Sequence, residues 1–148
     1  MQRFSFKLEA VLNHRQWLED EAKRALGLEL HKLDSLRIAL TKLREEHAGL
    51  LSQRRNLPDL PPEQHLHYVS YCGKLLMDME AQKGRINAQQ KAVDKKNRDL
   101  HEAMLERKKL EKLRQRDFKE YQVYKKRKET SVLDENASNF IRRFRNVT

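Results

Sequence analysis

The sequence predicts an all-α protein: two long helices forming an antiparallel coiled-coil hairpin, with a C-terminal overhang. Three observations predict it. First, apolar residues recur in sevens between Tyr68 and Tyr124. One series is Cys72, Met79, Ile86, Val93 and Leu100; the other is Val69, Leu76, Lys83, Gln90, Asn97 and Met104. Interleaved at three-and-four spacing, they mark a coiled-coil seam whose second series turns polar in its middle. Second, all three prolines fall in one short cluster ending at Pro62, so a single breaker divides the chain. Third, 36% of the residues are charged and the mean hydropathy is −0.96. That is too polar for a globular core, while the leucine repeat is too regular for a disordered chain. Residues 1–148 read as one coiled-coil domain.

The first helix is expected over about 6–53, roughly 70 Å at 1.5 Å per residue. Ser5 offers a cap at its start, and Glu9 suits the positive end of the helix dipole. Its register is clean from Leu26: Leu26, Leu33 and Leu40 form one series, Leu36, Leu43 and Leu50 the other. Before that, Leu18, Ala22, Leu26 and Leu30 are spaced by fours, which reads as a stutter that locally unwinds the supercoil. The loop is expected at about 56–62, where Asn56, Leu57, Pro58, Asp59, Leu60, Pro61 and Pro62 stand together. Pro62 is also suited to the first turn of the next helix, with Glu63 behind it.

The second helix is expected over about 63–130, on the order of 100 Å. Thr130, Ser131 and Val132 weaken it, and Asp134 and Ser138 offer restart caps for a tail over 131–148. That tail contains a short basic amphipathic stretch from Asn139 to Arg145. A short connection makes the helices antiparallel neighbours. If Leu51 lies beside Leu66, Leu8 lies beside about Lys109. The overhang then carries Leu110, Leu113, Phe118, Tyr121 and Tyr124 with no helix to cover them, which suits a docking surface or a homodimer seam.

The formal net charge is +10, so acidic partners are expected. From Arg107 to Lys128 there are eleven basic residues against three acidic ones. The forward i, i+4 neighbours of Glu111 and Glu120 are Gln115 and Tyr124, so the run reads as unneutralised. It lacks the zipper that pairs two basic arms on DNA, and nucleic acid is not the expected partner. A salt-sensitive nucleic-acid-binding coiled coil, or a scaffold, stays as an alternative. No apolar run approaches a membrane span, so no insertion is expected. The single Cys72 and the absence of a signal-like N-terminus suggest the cytosol.

The chemistry-bearing motifs are sparse. Gly73-Lys74 is followed by Leu75 and has no glycine-rich loop before it, so it is no phosphate site. His65 and His67 stand two apart on a helix and point to different faces, which is poor metal geometry. Cys72 sits on the seam, where a small apolar side chain is the plain reading. No catalytic, metal or cofactor-binding residues are assigned, and no enzyme activity is expected.

Two separated patterns resemble a known family. At the N-terminus they are Phe4, Phe6, Leu8, Val11, Leu12 and Arg15, followed by Glu19-Asp20-Glu21-Ala22 and Leu26-Gly27. Toward the C-terminus they are Ala103, Glu106-Arg107-Lys108, Leu110-Glu111, Leu113, Tyr121, Lys128-Glu129, Leu133-Asp134-Glu135 and Ala137. Together they resemble the FliJ family of flagellar type III export proteins, with the YscO-type stalk proteins of virulence secretion as near relatives. The resemblance implies a non-enzymatic stalk inserted into the hexameric export ATPase (FliI-like) of a flagellum, with the equivalent stalk of a virulence type III secretion system as the alternative. It also implies contact with the export-gate membrane protein (FlhA-like) and escort of export chaperones. It further implies a cytoplasmic location at the inner membrane beneath the flagellum, as a monomer or weak homodimer. By the family's pattern Tyr68, Tyr71 and Leu75 are the candidate gate contacts. Arg107, Lys108, Leu110, Tyr121 and Tyr124 are the candidate ATPase contacts. The Phe140–Arg145 stretch receives no role from the resemblance.

Overall fold

The computed structural model describes residues 3–57 and 59–145. Pro58, the first proline of the expected loop, lies outside them, as do the last three residues of the expected tail. Two helices account for nearly all of the described chain: α1, Glu9–Asn56, and α2, Pro62–Arg145. They pack against each other as a helical hairpin. The chain divides into two compact units, one from Glu19 to Glu102, the other joining the residues up to Leu18 with those from Ala103 onward.

α1 starts three residues later than expected. Leu12 donates its backbone N–H to Leu8 O at 2.9 Å, and Glu9 donates to Phe6 O at 3.2 Å. Phe6 itself is buried. Its ring serves packing ahead of the helix rather than forming the first helical turn. Arg54 and Arg55 occupy the last turn, where cations suit the dipole, and Arg54 Nη1 donates to Leu57 O at 2.8 Å. α2 opens with Pro62 and Glu63 in its first turn, and His65 donates to Pro61 O at 3.0 Å. It does not stop near Thr130. It continues to Arg145, because Thr130, Ser131 and Val132 are only weak helix formers flanked by strong ones. Thr130 Oγ1 turns back onto Lys126 O at 3.0 Å, so its hydroxyl does not compete for the helix ladder.

In the Glu19–Glu102 unit, the inward positions of α2 are Tyr68, Cys72, Leu75, Met79, Gln82, Ile86, Gln89, Val93, Lys96 and Leu100, an unbroken four-three repeat. The Cys72-to-Leu100 series is as expected. The other series is displaced by one residue: Val69, Leu76 and Asn97 face solvent. Polarity hid the true series. Gln82 is buried and donates Nε2–H to Leu36 O at 3.0 Å. Gln89 donates from Nε2 to Glu29 O at 3.0 Å and to the Glu29 carboxylate at 2.5 Å.

The inward positions of α1 show the same effect. They run Ala22, Leu26, Glu29, Leu33, Leu36, Leu40, Leu43, His47, Leu50 and Arg54, again in fours and threes. Glu19, one step earlier, is buried and paired with Lys23 Nζ at 3.0 Å. The expected stutter is therefore absent. It came from counting exposed Leu30 as a seam residue where Glu29 holds the position. Leu33, Leu40, Leu75 and Val93 are the buried apolar residues of this unit. Each contributes roughly 1.5–3 kcal/mol of burial. The cross-helix pairs Leu36–Gln82 and Glu46–Tyr71 agree with the Leu51–Leu66 register to within one residue.

The other unit departs from that register. Arg114 Nε reaches Glu9 at 3.3 Å, and the Phe4 ring meets Phe118 edge-on at 5.1 Å and Tyr121 at 5.6 Å. Phe118 and Tyr121 thus meet the chain's own N-terminal segment; Tyr121 is half-buried there, while Phe118 stays 42% exposed. The reason is local: residues 3–6 are not helical, so the place of Phe4 is not set by the repeat of α1. In this unit every residue from Gln122 to Arg145 is exposed.

The two glutamines yield a test. Gln82→Leu with Gln89→Leu replaces buried amides by apolar groups of similar size. Thermal unfolding is expected to be unchanged or raised by about 1–2 kcal/mol, while light scattering shows additional oligomers or registers. Gln82→Ala instead costs about 1–3 kcal/mol. The Glu29 carboxyl is held below its ordinary range, first by the Gln89 hydrogen bond and then by Lys32. Its contribution is complete above the ordinary glutamate range and is lost as pH falls through the lowered value. Gln89→Leu therefore makes acid unfolding shallower on that limb.

Candidate interaction surfaces

Tyr68, Tyr71 and Leu75 lie within about two turns of α2 close to the loop, but they face differently. Leu75 is 3% exposed and forms part of the seam. Tyr71 lies on the surface, and its hydroxyl donates to Glu46 on α1. That bond, followed by burial, pushes the Tyr71 phenol up. Tyr68 is half-buried, and its buried hydroxyl has no hydrogen-bond partner by geometry. Burial, and next the neighbouring Cys72 thiol, push this phenol up as well. Of the three, Tyr71 presents surface to a partner; Leu75 holds the helix that carries it.

A neighbouring surface comes from the displaced series. Leu66, Val69, Leu76 and Met77 are exposed on the outer side of α2. Gly73 lies among them, and a β-carbon built there meets nothing within 4 Å. The heptad spacing of Val69 and Leu76 suggested the seam; only the buried glutamines reveal that it is an outer face.

In the unit that holds the chain ends, Arg107 is half-buried, and its Nη1 lies 2.6 Å from Glu111. Lys108 is exposed and Leu110 half-buried. Tyr121 is half-buried against Phe4. Tyr124 is exposed, with Lys128 Nζ 5.0 Å from its ring centroid; a hydrogen bond from the ammonium to the phenol oxygen raises the Lys128 pKa. The basic run is partly neutralised after all. Glu111 and Glu120 pair backwards, with Arg107 and Arg116, rather than with their forward neighbours. Lys109 Nζ reaches Glu106 at 2.8 Å, and Lys125 reaches Glu129 at 3.9 Å. Such pairs each contribute only a few tenths of a kcal/mol, about 0.2–0.5. The ATPase candidates are therefore not one patch: Arg107, Leu110 and Tyr121 support the packing, while Lys108 and Tyr124 project.

Sequence reading passed over Trp17, which is exposed and stacks on His14 with centroids 6.0 Å apart. Its position outside the four-three repeat was the available signal. His65 and His67 are both exposed. Among the described residues no three His, Cys, Asp or Glu side chains converge as a metal site, and no helix is long and apolar enough to cross a membrane.

The family of the flagellar FliJ protein matches residues 4–146, nearly the whole chain. The chain belongs to the FliJ family. It is accordingly a component of the type III protein-export apparatus, from a family of non-enzymatic proteins. No curated protein matches it. Among solved structures it is similar to a candidate YscO homolog from Chlamydia trachomatis, at 17% identity and a TM-score of 0.49, covering 99% of this chain and 100% of that one.

The Tyr71–Glu46 bond is directly measurable. Phenolate absorbance during alkaline titration is expected to show two tyrosines, Tyr68 and Tyr71, ionising above the ordinary value of 10.0, Tyr71 because of that carboxylate. Glu46→Gln should bring Tyr71 down. The sign for stability follows: a raised phenol pKa stabilises below the ordinary tyrosine range, and the gain is lost as pH rises through the folded-state value.

Proposed function

We propose that this FliJ-family chain is the stalk of a flagellar export apparatus, coupling a hexameric export ATPase to the membrane export gate and escorting export chaperones. The observation that carries this reading is the end of α2, where every residue from Gln122 to Arg145 is exposed. A single helix about 10–12 Å across is slender enough for a ring pore. Its basic run from Lys125 to Lys128 favours transient contact with acidic ring loops over permanent adhesion.

On this reading Lys108 and Tyr124 touch the ATPase directly. Arg107, Leu110 and Tyr121 hold the helix against the N-terminal segment so that the projecting part keeps its direction. Tyr71 meets the gate protein, with Tyr68 beside it and Leu75 fixing the turn from behind. The protein works in the cytoplasm at the inner membrane, as a monomer or weak homodimer. The paired hairpin supplies stiffness, which the half-buried Leu100 helps to maintain.

The test is the hydrolysis rate of the cognate export ATPase with and without this protein, with hexamer formation followed by gel filtration. Stimulation and a larger hexamer fraction are expected; no effect at saturating protein would overturn the stalk reading. Tyr124→Ala with Lys108→Ala should lose most of the stimulation, on the order of tenfold, without loss of helicity. Leu100→Pro should abolish both motility and stimulation by breaking α2, at a cost of about 3 kcal/mol or more. A swimming strain with that unfolded protein would refute the need for the hairpin.

A further inference from the structure

The end of α2 carries an apolar face that the hairpin does not use. Leu133, Ala137, Phe140 and Phe144 stand at four-three-four spacing, with Ile141 one position over. Leu133, Phe140, Ile141 and Phe144 are 61–67% exposed. The Phe140 and Phe144 rings lie against each other at 4.7 Å and, with Ile141 and Arg145, line a shallow groove. Extending the intramolecular seam along α2 gives Ser131, Glu135, Ser138 and Arg142 instead. The apolar line is displaced from it by two residues, about 200° around the helix. It is thus a separate face, and α1 does not reach it.

Charge identifies what covers it. Between Gln122 and Arg145 there are seven basic side chains against three acidic ones, and Phe140 to Arg145 contains three arginines and no acid. By helical position Arg143 and Arg145 border the apolar line on its two sides. Apolar groups on one face with arginines at its margins is the arrangement of a helix that lies in a bilayer interface. There the rings enter the headgroup–acyl boundary, and the long basic side chains reach up to lipid phosphates. A second copy would bring two basic segments together. A nucleic acid would meet the arginines but leave Phe140, Ile141 and Phe144 in water.

We propose that the last turns of α2, from Leu133 to Arg145, form a membrane-surface docking helix that binds anionic lipid directly. The inference rests on this segment alone and does not require the stalk reading. It adds a contact with the bilayer itself to any contact made through protein partners.

The full-length protein is tested by cosedimentation with vesicles of phosphatidylcholine alone and of phosphatidylcholine mixed with phosphatidylglycerol. Binding to the mixed vesicles is expected, with a marked loss between low and physiological salt. Phe140→Ala with Phe144→Ala keeps every charge and a good helix former, yet should weaken binding about tenfold or more. Arg143→Gln with Arg145→Gln should weaken it by about tenfold as well. Circular dichroism checks that the exposed segment stays helical in each variant. The proposal is overturned if the mixed vesicles do not bind the wild type, or if the double alanine variant binds as the wild type does. It is also overturned in favour of a second copy if sedimentation without lipid shows a dimer that Phe140→Ala with Phe144→Ala dissolves. ATPase stimulation, measured without lipid on the same variants, reports on the stalk reading separately.

Discussion

The hydrogen bonds that Gln82 and Gln89 make across the hairpin, to Leu36 O and to Glu29, fix the alignment on which the Glu19–Glu102 unit depends. A seam of leucines alone slides by one heptad at little cost, because each step replaces one leucine contact by another. Buried amides do not slide so freely. Each must find an acceptor or lose about 1–3 kcal/mol. The two glutamines are seven residues apart, as are their acceptor positions, so both are satisfied in one register. That register in turn sets Tyr71 beside Glu46 and turns Val69, Leu76 and Met77 outward.

The unit that holds the chain ends follows a different logic. Its residues 3–6 are not helical, and Phe4 is carried onto Phe118 and Tyr121. The apolar surface left over is smaller than leucine counting suggests, and it falls nearer the C-terminus. Its character also changes there. Around Tyr124 the surface is an aromatic ring beside Lys128; around Phe140 and Phe144 it is a compact apolar face edged by arginine. One helix thus offers two chemically distinct contacts, one suited to a protein surface and one to anionic lipid.

Much was legible in the residues. The loop was readable because three prolines end one helix and start the next, and the Cys72–Leu100 series because it stays apolar throughout. The family was readable because two separated patterns occur in order. The displaced series was not, because Gln82, Gln89 and Lys96 look like surface residues to any reading based on hydropathy. Glu19 and Glu29 hid α1's repeat in the same way and produced an apparent stutter. The candidate contacts were assigned without knowledge of facing, so buried Leu75 and exposed Tyr71 received the same role.

That the chain is helical, that it folds back once, where it folds, and to which family it belongs could all be read from the residues. Those properties follow from local propensity, proline placement and residue order, all of which are written along the chain. Which side of each helix is the inside, which rings of α2 the N-terminal residues meet, and which aromatics stay exposed came from the folded molecule alone. Those depend on side-chain-to-backbone hydrogen bonds between residues 46 and 60 positions apart and on ring contacts made by non-helical residues. Neither leaves a periodic trace in the sequence.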